Sequence, residues 1–147
     1  ENGDLDNQFG VNGLVSTNLS NAVDHCNSIV LQPDGKILVT GESDNAFVLL
    51  RYQSDGILDN LFGDQGVVYN DTIARGNKPV LNLEDERILV LVNNNRTIAF
   101  DFQGNYDPTY YNTDIISLIF GEGVFNDMVL QPDGKVMLKG RTGEDYL

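Results

Sequence analysis

One stretch of this chain is written twice. Asn27-Ser-Ile-Val-Leu-Gln-Pro-Asp-Gly-Lys-Ile-Leu-Val-Thr-Gly41 returns as Asn126-Asp-Met-Val-Leu-Gln-Pro-Asp-Gly-Lys-Val-Met-Leu-Lys-Gly140. A degenerate copy, Asn77-Lys-Pro-Val-Leu-Asn-Leu-Glu-Asp-Glu-Arg-Ile-Leu-Val90, lies between them at offsets of 50 and 49 residues. A second motif keeps the same beat: Gly3-Asp-Leu-Asp-Asn-Gln-Phe-Gly10 returns as Gly56-Ile-Leu-Asp-Asn-Leu-Phe-Gly63, and loosely as Gly104-Asn-Tyr-Asp-Pro-Thr-Tyr110. A period of this kind constrains the fold more than any local propensity. Each copy is one supersecondary unit too small to bury its own apolar face, so neighbouring copies must stack to cover one another.

Each period reads as four short strands. Val15–Leu19, Val67–Tyr69 and Ile115–Ile119 form the first set, and Ser28–Leu31, Pro79–Leu81 and Asp127–Leu130 the second. Lys36–Thr40, Arg87–Val92 and Lys135–Lys139 form the third, with Phe47–Tyr52 and Ile98–Phe102 as the fourth. These runs are rich in β-branched and aromatic residues. Pro-Asp-Gly separates the second strand from the third. Proline presets φ for a turn and glycine takes the positive φ that closes a hairpin. In the middle copy Leu83-Glu84-Asp85-Glu86 stands there instead, one residue longer and without glycine, which predicts a looser hairpin. Four antiparallel strands every 40 to 50 residues are the mark of a β-propeller blade. A β-solenoid fits less well, because its repeats are shorter and carry no recurring tight hairpin.

The repeats run over residues 1–53, 54–102 and 103–147, the last incomplete. Asn2 takes the repeat position of Asp55, and Tyr146-Leu147 those of Phe47-Val48. The expected fold is therefore all-β: a β-propeller arc of about three four-stranded antiparallel blades. Three blades are too few to close a ring. The arc is expected to belong to a larger ring or assembly, with further blades from a longer chain or from other copies.

The run from Leu31-Gln-Pro-Asp-Gly-Lys to Gly41, then Phe47-Val-Leu-Leu-Arg-Tyr52, then Asp55-Gly-Ile-Leu-Asp-Asn-Leu-Phe-Gly63, resembles the delta-60 repeat. The likeness covers nearly the whole chain. It is close in the first repeat, good for the hairpin of the third, and weak in the middle, where Asp101-Phe102 replaces Arg51-Tyr52 and Tyr110-Tyr111 the Phe-Gly end. The resemblance implies tandem propeller repeats of large secreted or surface-attached proteins, mostly bacterial. It brings no catalytic residues with it.

Composition narrows the function classes. Asn (17), Asp (16) and Gly (15) make up about a third of the chain against 4 alanines, favouring turns over helices. The formal charge of −13 argues against a nucleic-acid binder and against docking on anionic lipid. The longest aliphatic run, Ile88–Val92, is far too short to span a bilayer as a helix. A lone Cys26 permits no internal disulfide. High acidity with only 4 lysines suits an extracellular or cell-surface protein. Sequons at Asn18, Asn70 and Asn95 fall within what 17 asparagines give by chance.

Candidate site residues are few. Asp4 and Asp6, or Asp55 and Asp59, could form weak calcium sites in the Gly-x-Leu-Asp-x-x-Phe-Gly loops. Calcium wants six to eight oxygens, and two carboxylates per loop fit better as turn holders accepting backbone N–H bonds. No other cofactor is expected. Asn27, Asn77 and Asn126 open each second strand and could ring a channel mouth, where amides would hydrogen-bond a sugar. Satisfying the preceding loop is the simpler role for them. Tyr106, Tyr110 and Tyr111 could stack on a glycan, although Tyr106 matches a motif leucine. Asp24-His25-Cys26 is the only adjoining nucleophile, base and carboxylate, and three consecutive strand side chains cannot converge. It reads as a loop before a strand. Lys36 and Lys135 are expected to be solvated at the rim. The leading expectation is a non-enzymatic scaffold or recognition module binding a glycan or a protein. The alternatives are a structural subunit of an extracellular filament or surface layer, and a secreted polysaccharide-active enzyme with a channel site.

Overall fold

The computed structural model describes residues 3–21, 23–73, 76–93, 96–110, 123–142 and 145–146. They form ten strands in three antiparallel sheets. The first sheet runs in the order β1 (Asp24–Leu31), β2 (Ile37–Ser43), β3 (Ala46–Tyr52), β4 (Val67–Asn70). The second holds β5 (Gly76–Asn82), β6 (Arg87–Val92) and β7 (Arg96–Asp101). The third holds β8 (Gly123–Leu130), β9 (Val136–Thr142) and β10 (Asp145–Tyr146). The leading strands β1, β5 and β8 lie side by side, so the sheets fan outward from them and β4 sits at the periphery. This is the all-β, propeller-type arrangement that the repeat predicts.

The hairpins follow the turn chemistry. In both Pro-Asp-Gly copies the turn closes from each side, Gln32 N–H donating to the Lys36 carbonyl (2.7 Å) and Gln131 N–H to that of Lys135 (2.8 Å). Gly35 and Gly134 take φ of 85° and 79°. The middle hairpin is not slack. Glu86 supplies the positive φ (52°), and the Asn82 amide donates to Asp85 Oδ2 at 2.8 Å, so a side-chain clasp replaces the glycine. The β2–β3 loop, Asp44-Asn45, has positive φ at both residues, as a two-residue turn matching strand twist requires.

Blade boundaries differ from the sequence reading. Val67–Asn70 is the fourth strand of the first sheet, paired with β3 from Phe47↔Asn70 to Leu50↔Val67, rather than the first strand of the second. Val15–Leu19 is not a strand of any sheet among the described residues. Ile115–Ile119 lies outside the described residues. The outer strand of the first sheet thus comes from the following repeat, which stitches the first two repeats together. The leading strands also start earlier than expected: β1 begins at Asp24, so Asp24-His25-Cys26 belongs to a strand and not to a loop.

Apolar faces alternate along the strands and pack sheet on sheet. Leu38, Phe47 and Leu49 of the first sheet meet Ile88, Val90, Ile98 and Phe100 of the second, with the Phe47 and Phe100 rings stacked 5.8 Å apart. The opposite face of the second sheet, through Leu89, Leu91 and Ala99, meets Phe125 and Met128 of the third. The run Ile88–Val92 is therefore buried on both sides. Val48, Leu50 and Tyr52 point the other way and make a smaller cluster with Leu19 and Val67.

Candidate functional site

The recurring asparagine marks a β-bulge. Pairing of β1 with β2 slips between Cys26 and Ser28, at Asn27, and pairing of β8 with β9 slips between Phe125 and Asp127, at Asn126. In the second sheet the slip lies between Gly76 and Pro79, spanning Asn77. Opposite the bulge stands the glycine that ends the motif. Cys26 pairs with Gly41, where a Cβ would fall 2.1 Å from the His25 carbonyl oxygen. Phe125 pairs with Gly140, where a Cβ would fall 2.4 Å from the Val124 carbonyl oxygen. The bulge presses a carbonyl onto the neighbouring strand, and only glycine leaves room for it. Val92, paired with Gly76, stands where the middle repeat would need that glycine, and there the slip skips two residues instead of one. Bulges re-aim side chains at sheet margins and sites. They leave Asn27 and Asn126 exposed on the innermost strands.

A second constellation sits where the Gly-x-Leu-Asp-x-x-Phe-Gly loop crosses between sheets. Arg51 Nε donates to Asp59 Oδ2 at 2.8 Å, with side chains only 7% and 2% exposed. The guanidinium carbon lies 4.4 Å above the centre of the buried Phe62 ring, and Nη1 donates to the Phe102 carbonyl of the next repeat. Asp59 Oδ1 accepts the Leu61 N–H at 3.2 Å, so the carboxylate holds the turn and the arginine together. Lys36 Nζ reaches the same carboxylate at 3.8 Å and Asp34 at 3.1 Å, so Lys36 is half-buried rather than solvated. In the next repeat Ala99, and not Asp101 as the sequence alignment has it, stands in place of Arg51: its carbonyl accepts the Asp107 N–H (2.9 Å) as that of Arg51 accepts the Asp59 N–H (2.9 Å), while Asp101 takes the place of Gln53, and the cation has moved to Arg87 at the start of β6. Arg87 Nε donates to Asp107 Oδ2 at 2.8 Å, and its guanidinium lies 5.9 Å from the Tyr110 ring centre. The Thr109 hydroxyl and N–H, and then Arg87, hold the Asp107 carboxyl below the usual carboxylate range. Sequence reading missed this swap. One signal was available: an arginine, Arg87, stands in the lysine position of the Asp-Gly-Lys motif.

The same loops join consecutive repeats through the backbone. Gly10 N–H donates to the Asp55 carbonyl and Gly63 N–H to the Gln103 carbonyl, both at 2.8 Å. Gly56 packs on Val15 and Phe9, and Gly104 on Val68 and Phe62.

The remaining candidates divide as follows. Asp6 Oδ1 accepts the Gln8 N–H (2.9 Å) and Asp55 Oδ1 the Ile57 N–H (3.0 Å), while Asp4 is exposed. Among the described residues no three His, Cys, Asp or Glu side chains gather as a metal site would need. Tyr110 is half-buried against the third sheet, and Tyr106 packs edge-on to Phe100 with about half its surface exposed. Tyr111 lies outside the described residues, as does Asn95. Asn70 accepts bonds from the N–H and hydroxyl of Thr72. Lys135 is exposed beside Asp133. A cleft of about 500 Å³ opens between residues 9–19 and the outward face of the first sheet, lined by Phe9, Val15, Ile29, Val39 and Leu50 among others, with His25 and Cys26 at its wall.

Residues 32–62 match a protein family described as a domain of unknown function (DUF5122) beta-propeller. That stretch spans β2, β3 and the Arg51–Asp59–Phe62 loop, the part of the repeat that joins one sheet to the next. The match supports a β-propeller repeat family. No curated protein and no solved structure matches the chain.

Proposed function

We propose that the chain is a non-enzymatic recognition scaffold acting outside the cell or on its surface, as the tandem delta-60 type of propeller repeat implies. The stacked sheets supply a rigid platform, and the innermost strands present its contact groups. One observation carries the reading: the same asparagine sits on a bulge in neighbouring inner strands, exposed at Asn27 and at Asn126. Primary amides donate and accept at once, which suits sugar hydroxyls or an extended peptide backbone. A fold of this kind fixes no function by itself, so the proposal rests on those side chains.

The test is a glycan array probed with the labelled chain. Binding to a defined glycan that falls at least tenfold in the Asn27→Ala/Asn126→Ala double variant supports the proposal. Binding unchanged in that variant, or hydrolysis of the glycan, overturns it. A second reading, a subunit of an extracellular filament or surface layer, draws on the apolar outward faces of the first and third sheets. Electron microscopy of the purified chain separates long polymers from discrete particles.

A further inference from the structure

The turns that join β1 to β2, β5 to β6 and β8 to β9 carry different charge. Lys36 Nζ lies 3.1 Å from Asp34 Oδ2, and Lys135 Nζ pairs with Asp133, so in the first and third turns the acid has its own cation. The middle turn, Leu83-Glu84-Asp85-Glu86, has no lysine. Its neighbour Arg87 bonds Asp107 at 2.8 Å and reaches Asp85 only at 3.7 Å. Glu84 and Glu86 are exposed and pair with no cation among the described residues. Leu83, in the motif position of Pro33 and Pro132, is 55% exposed on the same turn.

Beside that turn lies an open groove of about 580 Å³. Its walls are the hairpin ends of β5 and β8, so it runs between the second and third sheets, which pack directly on one another. Pro79, Leu81 and Leu83 line one side, and Met128, Leu130 and Pro132 the other. Met128 is buried, and Leu81 and Leu130 are half-buried. Glu84 stands in the lining, with Glu86 on the same turn. The volume falls within the roughly 300–1,000 Å³ of ordinary ligand sites. An open groove leaves much of a small apolar molecule in water. An extended chain can lie along it and turn alternate side chains inward.

We propose that this groove docks a segment of a partner polypeptide carrying an aliphatic side chain next to lysine or arginine. The aliphatic side chain fills the space between Leu81, Leu83 and Leu130. The cation meets Glu84 and Glu86, which lack a cation of their own among the described residues. Burial of the apolar side chain supplies affinity, and the two glutamates steer the approach and select a basic segment. An acidic segment meets like charge there and is turned away. The groove shares no residue with Asn27, Asn77 or Asn126, so this inference stands or falls apart from the proposed asparagine site.

Selection of random linear peptides displayed on phage against the immobilised 147-residue chain tests it. Recovered sequences should share an aliphatic residue adjacent to lysine or arginine, and a fluorescein-labelled peptide of that consensus should bind in anisotropy titrations. Leu83→Ser should weaken binding about tenfold or more, as loss of an interface anchor does. Glu84→Gln/Glu86→Gln should weaken it at low salt and flatten its salt dependence. All three positions are exposed, so the variants should keep their strand circular dichroism. Asp44→Asn/Asp71→Asn removes as much charge from exposed sites outside the groove and should leave binding unchanged. No enriched peptide, a consensus lacking the aliphatic or the basic residue, or binding that survives either groove variant overturns the proposal. So does equal weakening by the Asp44→Asn/Asp71→Asn variant, which would reduce the effect to net charge.

Discussion

Leu38 and Met137 occupy one position of one motif, and their surroundings have nothing in common. Leu38 lies in the junction between the first and second sheets, beside Phe47, Leu49 and the Ile88–Val92 run. Met137 looks outward from the third sheet. The junction between the second and third sheets falls between these extremes, with a smaller buried cluster and a half-exposed Arg87–Asp107 pair in place of the buried Arg51–Asp59 pair. Burial here is a property of having a neighbour. The motif provides an apolar side chain on each face, and the next sheet decides whether it stabilises anything.

The largest effect should come from the paired charges of the first junction. Asp59→Ala leaves the Arg51 guanidinium buried without its partner and should cost about 3–5 kcal/mol by denaturant unfolding. Asp107→Ala, at the more exposed junction, should cost clearly less, because solvent screens that pair. Equal losses would show that the two junctions are not graded by burial. Next, Leu38→Ala should cost about 2–5 kcal/mol through lost contact and a residual cavity. Its repeat counterpart Met137→Ala, read at a concentration where the chain is monomeric, should stay within about 0.5 kcal/mol. A large loss at Met137 would mean that its face is covered.

Gly41→Ala should destabilise by about 1–3 kcal/mol, because the new methyl meets the His25 carbonyl across the bulge. Gly134→Ala, with open space around it and only a positive φ to resist, should lose less, about 1 kcal/mol. A smaller, shared effect concerns acid. Asp24, held low by the Ser43 hydroxyl and the Leu19 N–H, Asp107 by Thr109 and Arg87, and Asp133 by Lys135 all sit below the usual carboxylate value. The unfolded chain therefore takes up these protons first. Stability from them is complete above about pH 5 and is lost as pH falls below about 4. Thermal melts across that range should show the fall, and Asp24→Asn should flatten part of it. The smallest effect expected is none: chelation with EDTA should leave the melting temperature unchanged, since Asp59 already serves Arg51 and Leu61. A drop on chelation would bring calcium back.

Much of this was legible before any coordinates. Pro-Asp-Gly at 33–35 and 132–134 named two hairpins, and the alternating Val, Ile and Leu runs named the strands. Turn chemistry and strand alternation are local, acting within a few residues, so a single chain read from end to end carries them. Asn27 and Gly41 were visible as the ends of a motif, but that the glycine lies across from the bulge at the asparagine was not. A bulge is a relation between two strands, and strand register depends on which residues the pairing brings opposite.

The division of the repeat went wrong for the same reason. Val67–Asn70 looks like the opening of the second unit because it follows that unit's Phe-Gly loop, and only pairing with β3 assigns it to the first sheet. Arg51, Asp59, Arg87 and Asp107 were readable as charges. Which charge met which, and above which ring, required two loops to cross between sheets. What the amino-acid order determined was the period, the turns and the two-faced apolar pattern, because those depend on near neighbours along the chain. What only the tertiary structure decided was where one blade ends and which face meets which neighbour, because those depend on contacts between residues about 50 positions apart.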